Sequence, residues 1–218
     1  MKVYFISGLA ADRRVFKHIK LPAGFETVHL DWISPVKGEP LEYYAERLAE
    51  KIETKEKFAL VGLSMGGMIA SEIAKKHKPA FTILISSVST FKQFPSRFKI
   101  LYITRLHKIL PVSFLKSTSI VKRLFSSEDA QDKKVLRQVI KDSDAKFIRW
   151  ALNAIFKWKN EDIPDQLWHI HGTHDSVLPI RNTKPTHIIQ KGGHLMVMSR
   201  AKELNHILEK LLLEGIEK

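Results

Sequence analysis

The chain has 218 residues, 44% of them hydrophobic and 27% charged, which fits one folded domain with or without an insertion and excludes a disordered or collagen-like polymer. It contains no cysteine, so disulfides, thiolate metal sites, iron–sulfur clusters and a cysteine nucleophile are excluded. The formal net charge is +13, and it is concentrated: residues 91–160 carry 16 Lys or Arg against 5 Asp or Glu, while the rest of the chain carries 20 against 18.

In chain order, short apolar runs alternate with helix-like stretches. Lys2–Ser7 leads into Gly8, and Thr27–Leu30 into Asp31. Next, Leu41, Tyr44, Ala45, Leu48 and Ile52 recur at three- and four-residue intervals behind Pro40, the pattern of an amphipathic helix opened by proline. Phe58–Leu63 precedes Ser64, and Ile69, Ala70, Ile73 and Ala74 mark the helix that follows, limited by Pro79. Phe81–Ile85 precedes Ser86. Leu167–Ile170 leads to His171 and Gly172, and Thr186–Gln190 to Lys191, Gly192 and Gly193. Leu204, Ile207, Leu208, Leu211 and Leu212 form a last helix with Gly215 as its expected stop.

Most of the strand-like runs are nearly continuous in Val, Ile, Leu and Phe, as in strands covered by helices on both faces. Strand–helix alternation predicts an open, mostly parallel six-stranded sheet of the α/β class. Residues 91–160 have no comparable run. Four helices are predicted there, around Phe98, Leu101, Arg105 and Leu106; after Pro111, with Phe114 and Leu115; at Val135, Leu136, Val139 and Ile140; and at Phe147, Ile148, Ala151, Leu152 and Ile155. The expected organisation is therefore a core in two parts, 1–90 and 161–218, with a helical lid inserted at 91–160. The insertion is also the basic segment. Its charge fits attraction of an anionic small molecule or surface, and equally fits solvated helix faces bearing Lys92, Lys99, Lys108, Lys116 and Lys122. Nucleic acid is not an expected partner, because no zinc-finger spacing, aromatic RNA-binding motif or recognition helix is present. The run Val3–Ile6 is too short for a signal-peptide core, and no stretch approaches about 18 apolar residues, so a cytoplasmic protein without a transmembrane segment is expected.

The strongest local signal is Gly62-Leu63-Ser64-Met65-Gly66, followed by Gly67. A serine on a tight strand-to-helix turn needs small residues two before and two after it. Its Oγ then stands clear of the sheet edge, and the first N–H groups of the helix point at whatever it attacks. A purely structural glycine turn is the competing reading. A phosphate loop is excluded by the absence of GxxxxGK[ST]. Serine needs a base, and the base needs an orienting group, both at the carboxyl ends of neighbouring strands. Asp175, on the polar loop after His169-Ile170-His171-Gly172, and His194, after Lys191-Gly192-Gly193, occupy such places.

With Ser64, Asp175 and His194 in that chain order, the sequence resembles the α/β-hydrolase superfamily, through the Gly62–Gly66 elbow, the stretch His171-Gly172-Thr173-His174-Asp175, and Gly193-His194. The size resembles compact bacterial esterases with a short helical lid. The resemblance implies six parallel strands, in the order 4-3-5-6-7-8 of the family's numbering, in a fold lacking the N-terminal hairpin. Ser7-Gly8-Leu9 falls where relatives carry His-Gly-X, so the backbone N–H groups of Leu9 and Met65 correspond to the oxyanion hole, with Ser7 in place of the usual histidine. It implies hydrolysis of a small carboxylic ester through an acyl-enzyme, with no cofactor and no metal. The basic segment adds an expected preference for an anionic ester. A thioesterase, amidase or acyltransferase uses the same geometry, and a non-catalytic ligand- or anion-binding protein is the rival from another class. Oligomeric state is not legible.

Other polar groups have duller readings. His169, His171 and His174 beside Asp175 do not follow the HxHxDH pattern of binuclear metal sites, and are read as structural or solvent-facing, with a place for His174 near Asp175. Asp12 is read as a helix cap, Asp31 as a remote alternative acid, and Ser86, Ser87 and Ser89 as pocket-lining candidates. Phe91, Phe94, Phe98, Trp150, Phe156 and Trp158 form either an apolar roof over the substrate or the core of the insertion.

Overall fold

The structure is a computed structural model describing residues 1–104 and 129–217. Six strands form one sheet: β1 (Lys2–Ile6), β2 (Glu26–His29), β3 (Phe58–Leu63), β4 (Phe81–Ile85), β5 (Leu167–Gly172) and β6 (His187–Ile189), in the order β2-β1-β3-β4-β5-β6. Every pairing is parallel, with Ile6 opposite Gly62 and Leu63 opposite Ile85. All six residues of β3 are buried, because a strand with two neighbours and helices on both faces has no wet side.

Alternation along the strands sorts the core into two layers. Val3 and Phe5 of β1 join Val61, Ile83 and Ile170 on one face, under α4 (Ala130–Asp142), α6 (Met196–Ser199) and α7 (Ala201–Glu217). Tyr4, Ile6 and Leu60 face the other way, against α1 (Leu41–Ala49), α2 (Met65–His77) and α5 (Ala145–Lys157). The helix after Gly67 stops where Pro79 requires, with Lys78 in a left-handed cap at φ 43°. Gly215 does not stop α7, which runs on to Glu217. A Cβ there would collide with the Phe81 ring, so this glycine serves close helix–sheet packing rather than termination.

Within residues 91–160, α3 (Ser96–Ile103), α4 and α5 correspond to three of the four predicted helices. The helix expected after Pro111, and the positions of Arg105, Leu106, Lys108, Lys116 and Lys122, lie outside the described residues. The two ends of the segment meet. Phe91 N donates to Asn160 O at 2.9 Å, Asn160 Nδ2 to Ser89 O at 2.9 Å, and Lys92 pairs with Glu161 at 2.6 Å. Trp158 Nε1 donates to the buried Glu72 Oε1 at 2.6 Å, fastening the exit of α5 to α2. Among the described residues no helix is long and apolar enough to cross a membrane.

Candidate active site

Ser64 sits between β3 and α2 at φ 53°, ψ −118°, a backbone conformation that costs a non-glycine residue about 1–3 kcal/mol and persists only where its surroundings impose it. Here they do. Ser64 N donates to Ile85 O at 2.9 Å, Gly67 N to Ser64 O at 2.9 Å, and Ser87 Oγ to the same carbonyl at 2.6 Å. The glycines make the turn possible: a Cβ at Gly62 would fall onto Gly66 and Gly67, and one at Gly66 onto the Ile6 and Ser7 carbonyls. The serine side chain remains partly exposed at the carboxyl edge of the sheet.

Two further loops converge on it. Asp175 follows β5, and His194 follows β6 on a loop that starts with Lys191 at φ 56°. The loops lock together through His174 N to Gly192 O at 2.9 Å and Lys191 N to Thr173 Oγ1 at 2.8 Å. A side chain at Gly172 would overlap Gly192. His194 Nδ1 lies 2.8 Å from Asp175 Oδ2, and His194 Nε2 lies 2.9 Å from Ser64 Oγ. Burial alone would push the Asp175 carboxyl up. The His194 and His171 imidazoles and the Leu178 N–H outweigh it and hold the carboxyl well below the usual carboxylate range. An ionised carboxylate only accepts, so Nδ1 carries the His194 proton, and Nε2 offers its lone pair to the Ser64 hydroxyl.

The segment 7–11 wraps the other side of Ser64. A Cβ at Gly8 would stand 3.3 Å from Ser64 Cβ. Ser7 Oγ and Trp32 Nε1 both donate to Ala11 O, at 3.0 and 2.8 Å, closing a tight turn with Ala10 at φ 56°. Among the described residues, the backbone N–H groups of Leu9 and Met65 meet no protein acceptor. Met65 is the first residue of α2, where N–H groups have no intrahelical partner. A cavity of about 280 Å³ opens beside this turn, lined by Ala10, Asp12, Trp32, Pro35, Asp144 and Phe147 among others.

The remaining candidates take other places. Asp12 caps the 3-10 turn Arg13–Phe16 by accepting from Arg14 N. Asp31 is exposed and bonded to Arg13. Ser86, Ser87 and Ser89 are buried scaffold, Ser89 tied to Gln93. Phe94, Phe98, Phe156 and Trp158 cluster through ring contacts of 5.6–6.0 Å, whereas Trp150 leaves that group and packs against Tyr44, the rings tilted by 38° with centroids 4.3 Å apart. His174 is exposed. The histidine on Asp175 is instead His171, whose Nε2 lies 3.3 Å from Oδ2; strand alternation places it on the face shared with His169 but does not say what that face meets. Among the described residues no three acidic or histidine side chains are placed to hold a metal ion.

The model of an alpha/beta hydrolase family matches residues 3–207. No curated protein sequence matches the chain. Among solved structures, a malate-bound thermophilic esterase from Thermogutta terrifontis superposes with a TM-score of 0.76 at 20% identity, covering 99% of this chain and 90% of that one. The enol-lactonase from Burkholderia xenovorans gives 0.74 at 14% identity, covering 100% and 91%. An esterase from Exiguobacterium antarcticum gives 0.72 at 19%, covering 100% and 92%.

Proposed function

The chain belongs to the alpha/beta hydrolase family, and from that premise we propose that it is a serine hydrolase that cleaves a small carboxylic ester through an acyl-enzyme. The observation that carries this reading is the hydrogen-bonded line from Ser64 Oγ through His194 to Asp175, at 2.9 and 2.8 Å. Ser64 attacks the ester carbonyl as His194 Nε2 takes its proton. The developing oxyanion is met by the N–H groups of Leu9 and Met65, reinforced by the positive end of α2. His194 then hands the proton to the departing alcohol. It next deprotonates a water, which opens the acyl-enzyme and restores the Ser64 hydroxyl. Asp175 keeps the imidazole in the Nδ1–H tautomer and stabilises the imidazolium in between. The reaction written this way needs no cofactor. Esterases and lactonases among the structural neighbours support an oxygen ester, open or cyclic, as substrate.

The test is labelling by a fluorophosphonate probe together with hydrolysis of a short chromogenic ester. The parent protein should show both, and Ser64→Ala should lose both, with hydrolysis falling at least about 10³-fold. A folded parent that neither labels nor hydrolyses any ester in a broad panel leaves a binding protein on this fold and ends the enzyme reading.

A further inference from the structure

Behind Asp175, on the side away from Ser64, lies a second imidazole pair that the reaction above does not use. His171 is 0% and His169 3% exposed. His169 Nε2 lies 3.0 Å from His171 Nδ1, and His171 Nε2 lies 2.7 Å from Leu178 O and 3.3 Å from Asp175 Oδ2. The proton positions follow from chemistry. A carbonyl and an ionised carboxylate can only accept, so His171 Nε2 carries a hydrogen. In neutral His171, Nδ1 is then a lone pair, and His169 Nε2–H supplies the bond between the two rings, in competition with the Ser87 carbonyl that also faces His169. Protonating His169 is disfavoured, since burial and then the neighbouring His171 push it down to about 3.

The consequence falls on the carboxylate. Asp175 Oδ1 accepts from Val177 N at 2.9 Å and Leu178 N at 2.8 Å, while Oδ2 faces His194 at 2.8 Å and His171 at 3.3 Å. Oδ1 is satisfied by two backbone N–H groups and Oδ2 by His194, and the His171 Nε2–H, whose shorter bond is to Leu178 O at 2.7 Å, stands 3.3 Å from Oδ2 as a weaker second donor. A carboxylate held by His194 alone could swing about its side-chain torsion. This one cannot turn without losing buried bonds to a charged acceptor.

We propose that His171, held in its Nε2–H tautomer by His169, is a positioning residue that fixes the Asp175 carboxylate and tempers its basicity toward His194. The proposal rests on the Ser64–His194–Asp175 reading. The side chains facing the Asp175–His171 contact are His194 from the loop after β6 and His169 from β5, together with the backbone of Val177 and Leu178.

The experiment measures the rate of fluorophosphonate labelling against pH for the parent, His171→Gln and His171→Asn. The Gln amide nitrogen reaches the position of Nε2, and the Asn amide stops at that of Nδ1, so the two variants place similar polarity in the same site and differ in the donor offered to Asp175. His171→Gln should label within about threefold of the parent. His171→Asn should label about ten- to hundredfold more slowly, the range for losing a hydrogen bond to a charged acceptor. Without the His171 donor the carboxylate attracts the His194 proton more strongly, so the acid limb of the Asn profile should also move to higher pH, while the Gln limb stays with the parent. Equal rates and coincident limbs for the two variants would overturn the proposal, as would slowing that tracks thermal stability with no movement of the limb. A parent that does not label at all would instead defeat the serine hydrolase reading, so the two failures are distinguishable.

Discussion

Ser64, Asp175 and His194 lie 130 residues apart at the extremes, yet each was legible from its immediate neighbours: a Gly-x-Ser-x-Gly turn after an apolar run, an acid after a strand ending in glycine, a histidine after paired glycines. His171 was not legible in this way. Its meaning depends on which face of β5 points toward the Leu178 carbonyl, and alternation along a strand says that His169 and His171 share a face without saying what that face meets. Ser7 is similar: its place in the sequence does not say that its hydroxyl closes the turn through Ala11 O. The buried His169 also makes a thermodynamic prediction. Its folded pKa, about 3, lies below the unfolded value of 6.5, so between these values the unfolded chain binds a proton here that the folded chain refuses. Stability should therefore fall as pH drops through that window, by on the order of 3 kcal/mol at about pH 4 from this residue. In urea unfolding, His169→Gln should flatten the slope of stability against pH by up to about 1.4 kcal/mol per unit. Equal slopes for parent and variant would contradict a neutral buried ring.

At the scale of elements, the strands were readable because burial on both faces leaves a continuous apolar run, and β3 and β4 match their predicted spans. The helices were readable from periodicity, except at their ends. Gly215 carries a stop signal in sequence, but its lack of a side chain answers to the Phe81 ring across the interface, which local sequence does not reveal. The aromatic residues of the insertion divided for the same reason: Trp150, whose Nε1 donates to Glu39 O at 2.8 Å, belongs to the contact between α5 and α1. Trp158 pins the end of α5 to Glu72, a carboxylate only 8% exposed that keeps Lys75 as its other partner. Replacing Trp158 by Phe preserves most of the ring packing and removes the donor. The expected loss is about 1–3 kcal/mol of stability in urea unfolding, characteristic of a buried acceptor left short of a partner. An unchanged midpoint would mean that the Trp158–Glu72 bond contributes nothing to holding the end of α5.

For the molecule as a whole, strand–helix alternation was enough to anticipate a parallel sheet, but the order of its strands followed from family resemblance, since periodicity does not encode which strand lies beside which. The charge distribution raises a question at this scale. The cavity beside the Ser7–Ala11 turn is lined by carboxylates, but Asp12 and Asp142 share Arg14, and Asp144 caps α5. Each of these acids has a partner, yet one guanidinium against three carboxylates leaves the cavity locally acidic. Attraction of an anionic substrate by the excess of Lys and Arg in the sequence of residues 91–160 would be a long-range effect, on encounter rather than on contact. For matched neutral and anionic esters, kcat/KM of the anionic ester should exceed that of the neutral one at low ionic strength and lose its advantage as salt rises past the screening regime, with the neutral ester unaffected. Identical salt profiles for both esters would rule out electrostatic attraction of the substrate.

The order of the three side chains along the polypeptide has a consequence during synthesis. The strand and elbow that carry Ser64 leave the ribosome long before Asp175, His194 and the helix α7 that closes one layer of the core. On the reading proposed above, a nascent chain therefore displays the Ser64 hydroxyl before its base has been made, and the elbow stays inert toward acyl donors until residues 175 and 194 have emerged and folded. A chain cut anywhere before residue 194 would lack both that base and the helix α7 that completes one layer of the core.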